Sequence, residues 1–279
     1  MEKWDIVISP KRSWFQLNLK EIWRYRDLFV LFVRRDIVAV YKQTILGPLW
    51  FFIQPVFTTI IYTFVFGQLA AIPTDGIPQP LFYMSGVVLW NYFAQALNVS
   101  ASTFLTNSNL FSKVYFPRVI APLSQITSSM ITFGIQLLMF ALLWGYYAFE
   151  GAAIGLRWEL VLFPVLLLSM ALLGLGLGLI LSSLTTKYRD LRQLIGFGVS
   201  LMMYATPVIY PLSEVPSKYR WLIELNPVTY VIEGFRYMVL GQGNFDVFTL
   251  MYTVIFSISC FVLGLMVFNK TEQNFLDTV

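Results

Sequence analysis

The chain has 279 residues, of which 57% are hydrophobic and only 12% are charged, and its formal net charge is +4. Its mean hydropathy is +0.68, whereas soluble domains carry about 25% charged residues, so an ordinary soluble fold is excluded. The basic residues stand beside apolar segments, which indicates membrane topology rather than nucleic-acid binding. We therefore predict an all-α membrane protein without a nucleic-acid partner.

The first 42 residues form the predicted cytoplasmic amphipathic segment, which contains nine of the 19 lysine and arginine residues. Apolar residues recur at helical spacing between Trp14 and Val40, and charges fill the opposite face. This pattern is typical of a helix that lies in the membrane interface, and we expect a break near Asp27. A helix that only anchors the first membrane span is the alternative.

Six uncharged stretches follow, and each is long enough for one membrane-spanning helix of about 20 residues. The predicted spans cover about 45–70, 81–105, 119–148, 160–184, 193–211 and 247–268. Six spans place both termini on the same side, and the positive-inside rule makes that side cytoplasmic because 15 of 19 basic residues then lie there. Residues 43–270 form the predicted transmembrane domain, and 271–279 form a cytoplasmic tail.

Polar side chains recur at helical spacing along the spans. Trp50, Gln54, Thr58 and Tyr62 share one face of the first span, and the second span carries Asn91, Gln95, Asn98 and Ser102. These faces predict either a polar, aromatic-lined conduit or hydrogen bonds between helices. In the fourth span, Gly174 and Gly178 form a small-xxx-small pattern, which predicts close helix packing.

The cytoplasmic stretch TNSNLFSKVYFPRVIAPLS, residues 106–124, joins the second and third spans. It predicts a short amphipathic helix that Asn107 or Asn109 caps and Pro117 ends, with Lys113 exposed. Such a helix is suited to docking a soluble partner.

The outer stretch 207–246 combines four prolines with many aromatic residues. It predicts two short helices that dip into the membrane as a lid over a pathway, because irregular backbone at that depth must be buried or line a cavity. An aromatic interfacial belt is the alternative.

The chain lacks the residues that several kinds of chemistry require. The chain has no histidine and one cysteine, Cys260, so we predict no metal site and no disulfide within one chain. It contains no phosphate-binding loop and no nucleophile elbow, and no span carries a charge in its core, which argues against a proton-driven carrier. We predict no catalytic residue.

Several blocks in the right order carry a resemblance across nearly the whole chain. They are RRDIVAVYKQTILGPLW with Gln54 and Pro55, NLFSKVYFPRVIAPLS, KYRDLR at 187–192, TPVIYP at 206–211 and NPVTYVIEGFRY at 226–237. Together they resemble the permease subunit of type-2 ABC exporters for polysaccharides, in the branch of O-antigen, capsule and teichoic-acid exporters.

The resemblance implies a six-span subunit of the cytoplasmic (inner) membrane that forms a homodimer and binds two copies of a separate ATPase. The partner uses ATP and magnesium, and this chain binds no cofactor. The amphipathic N-terminal helix would touch the same ATPase, and gate helices would occupy the outer segment 211–243, called the gate segment below. The coupling helix implied by the family corresponds to Asn109, Leu110, Phe111, Lys113, Val114 and Tyr115.

The expected function is export of a lipid-linked polysaccharide, such as an O-antigen for lipopolysaccharide biosynthesis, through a channel at the dimer interface. The candidate path residues are Trp50, Gln54, Tyr62 and Tyr204, and the candidate outer-gate residues are Tyr210, Trp221 and Tyr230. Two alternatives stay open, an exporter of a drug or small lipid and a membrane enzyme acting on lipid-linked sugars. The enzyme would need an outer carboxylate from Glu150, Glu159, Glu214, Glu224 or Glu233.

Overall fold

The computed structural model describes residues 19–42, 47–111, 113–188 and 190–275, and this part of the chain contains helices but no strand. The α-helices are α1 (Leu19–Arg24), α2 (Arg26–Lys42), α3 (Trp50–Tyr62), α4 (Gln79–Ala101), α5 (Thr103–Phe111), α6 (Ile120–Phe149), α7 (Phe163–Lys187), α8 (Leu191–Tyr204), α9 (Ser217–Glu224), α10 (Pro227–Leu240) and α11 (Val247–Phe275). In the described residues, four helical segments are long and apolar enough to cross a membrane: Trp50–Leu69, Ile120–Phe149, Trp158–Thr186 and Val247–Thr271.

Helix α4 is the centre of the fold. Sixteen of its 23 residues are buried, and it packs between α6 and α7. At about 1.5 Å per residue it is roughly 35 Å long, enough to cross a bilayer core of about 30 Å. It is less apolar than the four segments above because it carries Gln79, Asn91, Gln95 and Asn98. Protein rather than lipid surrounds most of its surface, so these polar residues are tolerated.

The predicted fifth span differs from the structure at its end. Helix α8 stops at Tyr204 rather than at 211, so it is only about 21 Å long. Thr206 precedes Pro207, and the residue before a proline avoids the helical conformation. The Thr206 hydroxyl instead donates to the Met202 carbonyl at 2.7 Å and accepts from the Asn226 amide at 2.8 Å. The count of six spans therefore stays a prediction.

Three glycines of α7 bring two other helices into backbone contact with it. A Cβ at Gly174 would lie 2.8 Å from the Ala96 Cβ, and a Cβ at Gly178 would meet Ser100, both on α4. A Cβ at Gly176 would lie 2.6 Å from the Cys260 carbonyl on α11. The close packing predicted from the small-xxx-small pattern is confirmed. Gly176 adds a second close contact, with α11, that the pattern did not indicate.

The gate segment holds the two short helices α9 and α10, as its prolines and aromatic residues predict. The Asn226 side chain caps α10 by accepting from the Val228 N–H at 3.1 Å, and Pro227 begins the helix. Gly241 ends α10 in the left-handed conformation with φ 78°. Twelve of the 14 residues of α10 are buried, whereas α9 buries none and exposes its aromatic residues.

The N-terminal amphipathic segment is broken at Tyr25, two residues before the predicted position. Helix α2 packs on α6, where the Ser128 hydroxyl reaches the Val33 carbonyl at 3.4 Å, and Phe32 is buried beneath it. The part of the predicted segment before residue 19 lies outside the described residues. At the other end α11 continues to Phe275, past the predicted start of the tail at 271.

Candidate functional site: an open helix face, a docking segment and a buried arginine

The candidate path residues lie on α3 and at the end of α8, and the surface that these two helices leave open is called the α3–α8 face below. Trp50 and Gln54 are exposed on α3, and Tyr62, further along the same side, is half-buried. The Tyr62 hydroxyl donates to the Met203 sulfur at 3.5 Å, next to Tyr204, which is 55% exposed at the end of α8. The structure therefore brings Tyr62 to the end of α8, and Trp50 and Gln54 continue the same face along α3.

This face is poorly covered within one subunit. Only 17% of the most apolar 18-residue stretch of Trp50–Leu69 is buried, the smallest share among the four candidate spans. Val199 is the one fully buried residue of α8. An amide such as Gln54 is costly to expose to hydrocarbon because lipid offers it no hydrogen bond. The part of the α3–α8 face around Gln54 is therefore suited to contact with protein or water rather than with lipid.

The polar residues of the predicted second span also reach the surface. Gln95 and Asn98 are exposed on α4, which is mostly buried. Asn98 and Ser102 line a cavity of about 320 Å³ between α4, α7 and α8, together with Arg192. Among the described residues Arg192 has no ion pair. One positive charge beside amide and hydroxyl groups suits an anionic ligand. Sequence analysis did not connect Arg192, which directly precedes the predicted fifth span, with Asn98 and Ser102 of the second span.

The predicted docking helix has different bounds in the structure. Helix α5 runs from Thr103 to Phe111, so Asn107 and Asn109 lie inside it rather than at its start. Asn107 is buried and its amide donates to the Thr103 carbonyl at 3.0 Å. The prediction that either asparagine caps this helix, and that Pro117 ends it, is wrong. Ser102 alone separates α4 from α5, so α5 begins upstream of both asparagines.

The predicted coupling residues divide into buried and exposed sets. The Phe111 ring is buried, 5.6 Å from the ring of Phe116, which in turn lies 5.6 Å from Phe32 on α2. Leu110 is half-buried, whereas Val114 and Tyr115 are each about 50% exposed after the helix end. The exposed set, called the docking segment below, is Asn109, Lys113, Val114 and Tyr115. Phe111 and Phe116, which lie next to these residues in the chain, connect the docking segment to α2 through their ring contacts.

The three candidate outer-gate residues have separate surroundings. The Tyr210 hydroxyl donates to the Tyr204 carbonyl at 3.0 Å, which holds the residue before the gate segment against the end of α8. Trp221 is 61% exposed on α9. Tyr230 packs edge-on against Tyr252 of α11 at 5.8 Å, and burial raises the pKa of its hydroxyl. No ring contact among the described residues joins these three side chains into one cluster.

Arg236 of α10 is the feature that sequence analysis missed most clearly. Its guanidinium is 1% exposed and donates five hydrogen bonds, which matches its five N–H groups. The acceptors are the Ser85 hydroxyl at 3.1 Å, the carbonyls of Phe82, Pro207 and Val208 at 3.3, 2.6 and 3.0 Å, and Glu233 at 3.2 Å. This one side chain therefore joins α10 to α4 and to the backbone that follows α8.

The Glu233–Arg236 pair lies entirely inside the protein. Burial raises the pKa of the Glu233 carboxyl, and the Arg236 charge and the Asn244 main chain oppose that rise. Burial lowers the pKa of Arg236 to about 10, which leaves its guanidinium charged at neutral pH. The i, i+3 spacing of an acid and a base in a proline-bounded segment was the available sequence signal.

Two other candidate catalytic acids accept hydrogen bonds from neighbouring side chains. Glu224 accepts from Arg220 at 2.9 Å, and Glu150 accepts from the Tyr146 hydroxyl at 2.5 Å. These contacts, with the Arg236 contact of Glu233, stabilise helices.

The fold and these surfaces define a multi-pass helical membrane protein with an open helix face and an exposed docking segment. The sequence model of the ABC-2 type transporter family matches residues 27–240, and the chain belongs to that family. The resemblance inferred from the sequence is thereby confirmed.

The chain is similar to named members of this family over nearly its full length. An O-antigen export system permease protein RfbA of Klebsiella pneumoniae is 29% identical over 90% of this chain and 94% of its own length. The protein of that name from Myxococcus xanthus is 27% identical over 94% of this chain and 98% of its own length. A polysialic acid transport protein KpsM of Escherichia coli is 22% identical over 87% and 92%.

Proposed function

We propose that this protein is the membrane subunit of an ATP-driven exporter that moves a lipid-linked polysaccharide, of the O-antigen kind, across the cytoplasmic membrane. The observation that carries the proposal is the full-length similarity to permeases named for O-antigen export. The open α3–α8 face supports it, because that face combines aromatic rings with amide and hydroxyl groups. Sugars can stack on such rings and exchange hydrogen bonds with such polar groups.

The α3–α8 face is the proposed dimer interface and translocation path. A second copy of the chain would cover the exposed apolar residues of α3 and α8 and leave Trp50, Gln54, Tyr62 and Tyr204 along a shared channel. A two-fold arrangement of this kind is the commonest symmetry of homo-oligomers. It gives Gln54 a polar environment that lipid does not provide.

The docking segment is the proposed seat for a separate ATPase, one copy for each permease subunit. Movement of the ATPase would reach Phe116 and then α2 through their ring contacts, and would rock the helices around the dimer interface. Hydrolysis of ATP with magnesium belongs to the partner, and this chain has no enzymatic role in the proposal. Both termini and the docking segment lie in the cytoplasm, and the gate segment closes the outer end of the path.

Depletion of the protein in its own cell tests the proposed function. We expect completed lipid-linked polymer to accumulate on the inner face of the cytoplasmic membrane while surface polymer is lost. Complementation with the wild-type chain should restore export. The Trp50→Ala/Tyr62→Ala variant should assemble normally and restore less than about one tenth of it, because stacking is worth about 1–3 kcal/mol per ring where rings bind other ligands.

Other results of this experiment contradict the proposal. Normal surface polymer after depletion would favour an exporter of a drug or small lipid. Truncated or unmodified polymer would favour an enzyme acting on lipid-linked sugars. Full export by the double variant would remove the α3–α8 face from the path while leaving the exporter function in place.

Tyr115→Ala is expected to weaken ATPase binding about tenfold, since truncating an aromatic anchor at an interface costs roughly 1–2 kcal/mol. The measurement is recovery of the ATPase with the tagged permease from membranes solubilised in mild detergent. Thr106→Ala is the matched control because Thr106 is exposed on α5 but lies outside the docking segment. Equal recovery with both variants would place the ATPase elsewhere.

A further inference from the structure

The cavity between α4, α7 and α8, about 320 Å³ in volume, has room for a ligand, because one water molecule takes up roughly 30 Å³ in the liquid. Arg192 gives its lining a positive charge, and no acidic side chain stands among the described residues that line it. We call it the Arg192 cavity. Its charge favours an anionic ligand.

Two side chains in the lining offer N–H groups that a ligand can contact. The guanidinium of Arg192 has five N–H donors, and the side-chain amide of Asn98 has two. In the part of the chain that the structure describes, neither group makes a hydrogen bond or an ion pair. Both side chains are exposed, so a ligand in the cavity can accept from them.

The hydroxyl groups in the lining bond to the protein instead. Thr185 Oγ1 donates to the Ala101 carbonyl at 2.8 Å, which holds the ends of α7 and α4 together. The Ser102 hydroxyl donates to the Asn98 carbonyl at 2.9 Å. The donors left for a ligand are therefore a guanidinium and an amide. This pair suits the oxygens of a phosphate, which a guanidinium can bind through two parallel hydrogen bonds.

The Arg192 cavity lies at the end of the helix bundle that carries the docking segment. Ser102, which lines the cavity, is the single residue between α4 and α5, and α5 leads to the docking segment. In the orientation proposed above, this end of the bundle is cytoplasmic. Basic pockets between membrane-spanning helices on that side bind the headgroups of anionic phospholipids.

Apolar side chains flank the cavity on two of its helices. Leu184 adjoins Thr185 on α7, and Leu194 adjoins Ile195 on α8; both leucines are exposed. Phe197, one turn further along α8, is also exposed. Acyl chains can lie on these side chains, whereas a free phosphate ion would use neither helix. The surroundings therefore favour a two-chain lipid over a soluble anion.

We propose that the Arg192 cavity binds the phosphate of an anionic phospholipid, with the Arg192 guanidinium and the Asn98 amide donating to its oxygens. The acyl chains lie along α7 and α8, and the headgroup fills the space beside the α4–α5 junction. A choline phospholipid binds more weakly, because its net charge is zero and its quaternary ammonium meets no acidic side chain in the described lining.

Native mass spectrometry of the purified full-length permease tests the proposal with two probes, dioleoyl phosphatidylglycerol and dioleoyl phosphatidylcholine at equal concentration. We expect the wild type to retain the glycerol lipid about tenfold more than the choline lipid, because only the former brings a net charge to Arg192. Arg192→Gln should bring the two lipids to near parity. Arg192→Lys should keep part of the preference, since lysine binds phosphate as a point charge.

Arg34→Gln is the matched control. Arg34 is an exposed arginine of the amphipathic helix α2 that does not line the cavity, so the same loss of charge there should leave the preference unchanged. An equal loss of preference in Arg34→Gln and Arg192→Gln would mean that the lipid responds to overall surface charge, and the proposal would fail. Equal retention of both lipids by the wild type would also overturn it.

Competition in the unaltered permease identifies the occupant without any variant. Inorganic phosphate at the concentration of the lipid should leave phosphatidylglycerol bound, because it has no acyl chain. Displacement by inorganic phosphate would make the occupant a soluble anion. Displacement by geranylgeranyl phosphate, a single-chain lipid, at equal concentration would assign the cavity to a lipid carrier of the polysaccharide instead. None of these measurements depends on polysaccharide export, so they stand or fall apart from the proposed function.

Discussion

Arg236→Met is expected to remove most of the folded permease from the membrane. The methionine side chain fills much of the same volume but removes the guanidinium that donates to Glu233 and four other acceptors. Breaking a buried ion pair by removing one partner costs about 3–5 kcal/mol, and a whole domain has a free energy of unfolding of about 5–15 kcal/mol. The substitution also removes the hydrogen bonds that join α10 to α4.

The measurement is the thermal unfolding midpoint of the detergent-solubilised protein, followed by fluorescence-detected size-exclusion chromatography. Arg220→Met is the matched control because the Arg220–Glu224 pair lies on the exposed helix α9, with side chains 43% and 34% exposed. An exposed helical pair of that kind contributes about 0.3–0.5 kcal/mol. We expect the control to unfold near the wild-type temperature.

Two further variants separate the charge of Arg236 from its geometry. Arg236→Lys keeps the positive charge but offers three N–H donors to five acceptors, so its stability should be intermediate. In the double variant Glu233→Leu/Arg236→Met, no buried carboxylate remains at this position of α10, and part of the stability should be recovered. If Arg236→Met unfolded at the wild-type temperature, the five hydrogen bonds would contribute little to the free energy of unfolding.

The second large effect is expected at Gly176, where a single methyl group should separate two helices. In Gly176→Ala the new Cβ would lie 2.6 Å from the backbone carbon and oxygen of Cys260 on α11. These are backbone atoms, so no side-chain rotation relieves the clash. Overpacking of this kind costs about 1–3 kcal/mol, and we expect the upper end because Gly264 also lies against this glycine.

Gly134→Ala provides the matched control on α6, because a Cβ there meets no atom within 4 Å. The same substitution in open space should leave stability unchanged or raise it by up to about 1 kcal/mol through helix propensity. The measurement is again the unfolding midpoint, together with the yield of monodisperse protein. Equal behaviour of the two variants would mean that α7 and α11 can move apart freely.

Local signals in the sequence predicted the features that depend on neighbouring residues. The long uncharged stretches indicated the positions of α6, α7 and α11, since a helix that faces lipid must be apolar along its whole length. Prolines and aromatic residues indicated the two helices of the gate segment, because a proline restricts the backbone where it stands. The order of several motifs indicated the family.

The errors arose where a tertiary contact competes with a local pattern. Asparagine is a residue type that often caps helices, and the sequence therefore predicted a cap at Asn107. In the structure α5 begins at Thr103, with Phe104 and Phe111 buried, so Asn107 lies inside the helix. The apolar stretch through Val208 and Ile209 reads as a continuation of α8. The structure buries these residues in the core after a turn instead, with the Val208 carbonyl bonded to Arg236.

The sequence by itself determined the membrane class, most helix positions and the family, because these follow from composition, charge spacing and ordered motifs. Only the tertiary structure decided which polar residues are buried and which helix face stays open. Arg236 meets Ser85 across 151 positions of the chain, and Arg192 and Asn98 come together from separate helices. Such meetings depend on how helices pack, and the free energy of a buried polar group depends on partners that no local pattern contains.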